Sequence, residues 1–143
     1  MFRSVFKRAR CIVPASGYYE WHAAEGGKQP YLISAADGTV LSISGLWDRW
    51  KEPETGETIS SATLIVTAAN DFTRRIHDRL PVLLGCQDHD AWLTGKAGVE
   101  LLQPAPNELL RMWPVSKRVT VSGRGDDDPN LIEAVESDAI VER

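Results

Sequence analysis

A chain of 143 residues with 43% apolar and 25% charged residues fits one globular domain around one core and excludes a disordered or fibrous chain. Its net charge of -4 argues against a protein that coats nucleic acid non-specifically, because such binding rests on many lysine and arginine contacts to phosphate. Cys11 and Cys86 are too few for a disulfide scaffold and point to a reducing cytoplasm, while the sequence has no apolar run of the roughly 20 residues that span a bilayer and no signal-peptide core.

In chain order, residues 2–9 predict a short basic helix, and residues 1–10 carry Arg3, Lys7, Arg8 and Arg10 and no acid, a surface suited to a polyanion. Residues 11–13 predict a strand entering the Pro14-Ala15-Ser16-Gly17 turn. A second strand is expected over 18–21, a hairpin loop over 22–28 and extended chain over 30–34. Asp37-Gly38 is a strong hairpin signal ahead of the β-rich stretch 40–46. A polar loop over 51–58 leads to 62–67, an apolar, β-branched run expected to be buried on both faces.

Residues 69–76 predict a helix capped by Asn70 or Asp71, whose short side chains accept bonds from the first free amides. Extended chain follows over 81–84, then helices over 87–94 and 98–102, the second stopped by Pro104-Ala105-Pro106. Residues 109–115 lead into a closing strand through 121, and 123–129 form an acidic, flexible loop. The expected organisation is one domain over 1–133 with an acidic, flexible tail over 134–143. Many short strands with few helices point to α+β, with a curved, barrel-like, mainly antiparallel sheet and short peripheral helices.

Glu20 lies between Tyr19 and Trp21, so on a strand it faces away from both and shares its side with Tyr18. Desolvation there raises a carboxyl pKa and suits the group to proton transfer or to holding an iminium; the alternative is a surface glutamate on an edge strand. His77 precedes Asp78, Arg79 and Pro81, where a turn presents polar groups together; a locally satisfied histidine is the alternative. Arg79 fits a phosphate, or pairs with Asp78. Trp21 is the stacking candidate for unpaired bases, whereas Trp47 and Trp50 are assigned to the core. His22 and His89 read as surface residues, and no metal-ligand spacing, P-loop or dinucleotide motif occurs.

Taken together, Arg10-Cys11-Ile12-Val13-Pro14-Ala15, Gly17-Tyr18-Tyr19-Glu20-Trp21, Lys28-Gln29-Pro30-Tyr31, Gly45-Leu46-Trp47, Thr67-Ala68-Ala69-Asn70, Ile76-His77-Asp78-Arg79-Leu80-Pro81 and Asp128-Pro129-Asn130-Leu131-Ile132 form an ordered series. Across nearly all of residues 2–133 the chain resembles the SRAP (SOS response-associated peptidase) family. The resemblance implies the SRAP fold and a DNA-damage role in which abasic sites in single-stranded DNA are linked covalently through a thiazolidine. In that family the linking cysteine directly follows the initiator methionine, whose removal is autoproteolytic, so the activities implied are hydrolase and lyase-like. Glu20 and His77 match the family's catalytic glutamate and histidine. Trp21, Arg79, Arg3, Lys7 and Arg8 are then expected to contact DNA. No metal, small-molecule cofactor or membrane is implied.

The chain departs from the family at its start. Phe2 follows Met1, residues 2–10 match an internal stretch of the family, and neither Cys11 nor Cys86 aligns with the nucleophile. An N-terminally incomplete member is therefore expected, with exposed sheet edges that invite homodimerisation. Two rivals follow: a non-covalent single-stranded-DNA-binding module without the catalytic cysteine, and a thiol peptidase pairing Cys86 with His77.

Overall fold

Antiparallel pairing orders every described strand of the protein; the computed structural model describes residues 6–123 and 125–136. β1 (Arg10–Ala15), β4 (Leu41–Lys51) and β5 (Thr58–Leu64) form one sheet in the order β1-β4-β5. β2 (Tyr18–Ala24), β3 (Gly27–Ala35) and β8 (Leu110–Pro114) form a second in the order β2-β3-β8, and β6 (Val66–Ala68) pairs with β7 (Arg79–Pro81). The small ribbon is stitched to β4: Ser44 N–H donates to Val82 O at 2.9 Å, Ile65 N–H to Ser44 O at 3.0 Å, and Leu84 N–H to Ser42 O at 2.8 Å. The expected α+β class with mainly antiparallel sheet and short helices holds, although the sheets do not close into a barrel.

Strand alternation sends β4 side chains into two cores. Leu41 and Ile43 join Ile33, Ala35, Leu80 and Leu110 in one cluster, while Leu46 on the opposite face meets Leu84 and Trp92 in the other. Between them, Gly45 permits close approach of neighbouring strands: a Cβ there would lie 2.9 Å from both Cys11 Sγ and the Thr63 carbonyl oxygen.

Several expectations shift for identifiable reasons. The loop expected over 22–28 contracts to Glu25 and Gly26, because Gly26 and Gly27 adopt φ of 88° and 118° and let Ala24 pair directly with Gly27. Asp37-Gly38 does form a tight turn, with Thr39 N–H donating to Asp37 Oδ1 at 3.0 Å, but β3 and β4 lie in different sheets, so it is a corner rather than a hairpin. The run over 62–67 is not buried on both faces. It splits at Ile65, whose N–H still donates to Ser44 O of β4 while its carbonyl accepts from Val82 N–H, and every residue of β5 is exposed. Trp47 and Trp50, assigned to the core from sequence, are 37% and 54% exposed, because β4 and β5 extend beyond both clusters.

The helix expected over 69–76 reduces to a 3-10 turn at Thr73–Arg75, and that over 98–102 to one at Val99–Leu101. The closing strand stops at Pro114; Ser116 then caps the 3-10 turn Lys117–Thr120 by accepting from Arg118 N–H at 3.3 Å. At the expected tail boundary, Ala134 bridges Val115 and Val135 N–H donates to Pro114 O at 3.0 Å. The rest of the expected tail, 137–143, and the start of the basic helix, 1–5, lie outside the described residues; 6–8 are helical.

Candidate active site

Tyr18, Glu20 and His22 share one face of β2, and Tyr19 and Trp21 the other. Glu20 stands opposite Tyr31 of β3, which is 3% exposed, and the His22 ring meets Tyr31 edge-on with centroids 6.4 Å apart. Tyr18 packs against the first core cluster with its hydroxyl buried and, among the described residues, without a hydrogen-bond partner. Burial raises the Tyr18 pKa, and the nearby Glu20 charge raises it further, so the phenol stays neutral. Burial likewise raises the Glu20 carboxyl; His77 and the Trp21 amide act against this, and Asp78 reinforces it. His77 and Asp78 thus lie near enough to influence Glu20 although nearly sixty residues separate them in sequence.

A pinned loop brings His77 there. Asn70, 9% exposed, donates from Nδ2 to Ala105 O at 2.8 Å, and its Oδ1 accepts from both Thr73 N–H and Thr73 Oγ1 at 2.8 Å. His77 N–H then donates to Thr73 O at 3.1 Å, and Ala69 N–H to Asp78 O at 2.9 Å, closing the loop at the foot of β6 and β7. The imidazole is left 46% exposed at the lip. Its Nδ1 accepts from Arg79 N–H at 3.2 Å, which assigns the proton of the neutral ring to Nε2, and Asp78 Oδ1 lies 3.4 Å from the same Nδ1. Protonating Nδ1 exchanges the amide contact for a carboxylate contact.

A partly desolvated carboxyl beside an accessible imidazole is a general acid/base arrangement. The other sequence candidates lie elsewhere. Trp21 is on the reverse face of β2, its ring 6.5 Å from that of Tyr19. Arg79 is exposed beside His77, and among the described residues its guanidinium pairs with no carboxylate. Lys7 and Arg8 are exposed in the turn that abuts the end of the helix His89–Thr94, while Arg3 lies outside the described residues. Sequence reasoning missed the orphan Tyr18 hydroxyl, the counter-charge of Asp78 and the bridging role of Asn70; the Asn70-x-x-Thr73 spacing of a capping turn was the available signal for the last.

The thiols stand apart from this pair. Cys11 packs against Gly45, and burial pushes its pKa up. Cys86 is exposed and lines, with His89, a separate cleft of about 820 Å³. Among the described residues, no helix is long and apolar enough to cross a membrane and no group of three His, Cys, Asp or Glu could hold a metal ion.

The raised Glu20 pKa carries a stability prediction. The folded protein binds this proton more readily than the unfolded chain, so the ionised carboxylate costs stability above the ordinary carboxyl pKa and nothing well below it. Glu20→Gln should stabilise the fold modestly at pH 7.5, since solvent screens a half-exposed group. Thermal melts of both proteins at falling pH should show the gap closing toward about pH 4.

The SOS response associated peptidase (SRAP) family model matches residues 1–122. Abasic site processing protein YoqW of Bacillus subtilis is 32% identical over 139 residues, an alignment covering 93% of this chain and 61% of the relative. Abasic site processing protein HMCES of Xenopus tropicalis is 32% identical over 155 residues, covering 92% of this chain and 45% of the relative. Among solved structures, a protein from Bacteroides thetaiotaomicron superposes with a TM-score of 0.85 at 29% identity, covering 94% of this chain and 60% of that one. A Bordetella bronchiseptica protein superposes with a TM-score of 0.73 at 32% identity, covering 80% and 59%. The chain thus spans about three fifths or less of the length of these relatives.

Proposed function

We propose, from the premise that this chain belongs to the SOS response associated peptidase (SRAP) family, that it acts on abasic sites in single-stranded DNA with Glu20 and His77 as the acid/base pair. What carries this reading is the placement of Glu20 on the face of β2 opposite the buried Tyr31, with His77 held exposed at the lip of the loop that Asn70 pins. An abasic sugar opens to an aldehyde when a proton moves from its anomeric hydroxyl to the ring oxygen, a transfer suited to an imidazole at an open lip. Attack by an amine then forms a C–N bond and expels the carbonyl oxygen as water, leaving an iminium that the Glu20 carboxylate stabilises. In the thiazolidine form of this chemistry, a thiol adds across the C=N bond and its proton passes to nitrogen. Hydrolytic release of an initiator methionine would draw on the same acid and base.

Neither described cysteine stands beside the pair, so the step proposed for this chain is imine formation by one of its amines. Arg79, exposed beside His77, would hold a flanking phosphate, while Trp21, Lys7 and Arg8 would contact DNA away from the pair. Self-association through an uncovered sheet edge belongs to the same reading, as does a cytoplasmic setting.

The test is to incubate the chain with single strands that carry or lack one abasic site, in the presence of cyanoborohydride, which reduces an imine to a stable amine. A denaturant-resistant adduct specific to the abasic strand is expected. Salt-sensitive binding without an adduct would favour the non-covalent module. Neither adduct nor any preference for the abasic strand would overturn the reading.

A further inference from the structure

β5 is the outer strand of the sheet β1-β4-β5, and all seven of its residues, Thr58-Ile59-Ser60-Ser61-Ala62-Thr63-Leu64, are exposed. Elsewhere the 134–135 segment bonds to the end of β8 and the 82–84 segment runs along β4. The usual means of protecting an edge are also missing, since β5 contains no proline, no lysine and no other charge. Large apolar groups flank it on both faces. Trp50 pairs across the ladder with Ile59 on one face, 54% and 45% exposed, and Trp47 with Ala62 on the other.

We propose that β5 pairs antiparallel with β5 of a second copy of this chain about a two-fold axis at Ser61. The strand's own sequence suits that occupant. An isologous antiparallel contact makes a strand face its own reversed sequence, so any charge near its centre would confront its twin; β5 has none. With the axis at Ser61, Ser60 faces Ala62, Ile59 faces Thr63 and Thr58 faces Leu64. These are small, β-branched and apolar partners suited to adjacent strands. The charged residues of the ribbon, Asp48, Arg49 and Lys51 on β4, lie one strand back from the axis. The two sheets join as β1-β4-β5-β5-β4-β1, and each Trp50–Ile59 pair continues onto Thr63 of the other copy. The outward amides and carbonyls of β5 then exchange water for ladder partners, and Trp50 loses exposed area.

This deepens the self-association named above and is independent of the DNA chemistry, because its readout is mass rather than adduct formation. Light scattering after size exclusion, from about 1 to 100 μM, should show a concentration-dependent dimer. Ser61→Lys places like charges against each other at the axis on a strand that tolerates the residue when single, so the dimer should dissociate at least about tenfold more readily with the circular dichroism spectrum unchanged. Ser61→Cys should oxidise to a 61–61 disulfide mapped by mass spectrometry, since directly opposed residues fall within disulfide reach. A monomer throughout, a dimer indifferent to Ser61→Lys, or cross-linking through Cys86 instead of position 61 would overturn the proposal.

Discussion

Glu20→Gln should slow formation of the trapped abasic adduct about 100-fold at neutral pH, the scale of losing one positioned acid/base group. Glutamine keeps the shape of the side chain, but it holds no charge for an iminium and exchanges no proton. Because the same change should stabilise the protein, loss of rate cannot be traced to loss of fold. A desolvated ionisable group on a half-buried strand is a cost to folding that a reactive site accepts. Adduct formation unchanged in the variant would remove Glu20 from the chemistry.

Trp92→Ala should destabilise the fold by about 3–5 kcal/mol, the range for deleting a large aromatic side chain from a packed core. Trp92 is fully buried at the centre of the second cluster. Its indole N–H donates to Cys11 O at 2.9 Å, Phe6 meets it edge-on with ring centroids 5.8 Å apart, and the Arg10 guanidinium sits 4.6 Å above the ring. Arg10 itself is fixed by the carbonyls of Phe6, Trp92 and Ala97, so removing the indole also unmoors the basic turn at 6–8. Trp50→Ala provides the contrast. Being mostly exposed, it should change monomer stability by no more than about 0.5 kcal/mol. Thermal or urea unfolding of both variants tests the pair, and similar losses would contradict the placement of the two indoles.

Those two tryptophans show where the sequence was readable and where it was not. Composition and turn chemistry conveyed the α+β class and most strand positions, because Asp37-Gly38 and Glu25-Gly26-Gly27 punctuate the chain locally. Burial was harder to read, because an apolar residue is placed in the core by the reach of neighbouring sheets rather than by its own identity. Trp92 lies in a helix pressed against β1, whereas Trp47 and Trp50 ride on a ribbon that outruns both clusters. The helix expected at 69–76 failed for a related reason: Asn70 spends its side chain on Ala105, 35 residues away, and on Thr73, which fixes a turn rather than starting a long helix. Glu20 and His77 could each be singled out from local chemistry and family resemblance. Their convergence depends on the β6–β7 ribbon and the pinned loop, which no local pattern encodes, and Trp21, adjacent to Glu20 in sequence, is turned to the opposite face by strand alternation.

The central claim is that Glu20 and His77 work as one unit on an abasic strand, and a double-mutant cycle on the cyanoborohydride-trapping rate tests it most directly. Groups that share one proton-transfer task lose most of the rate when either is removed, so the Glu20→Gln, His77→Ala double variant should fall little below the slower single variant. Losses that simply multiply would mean two independent roles, and a wild-type chain that forms no abasic-specific adduct would contradict the account altogether.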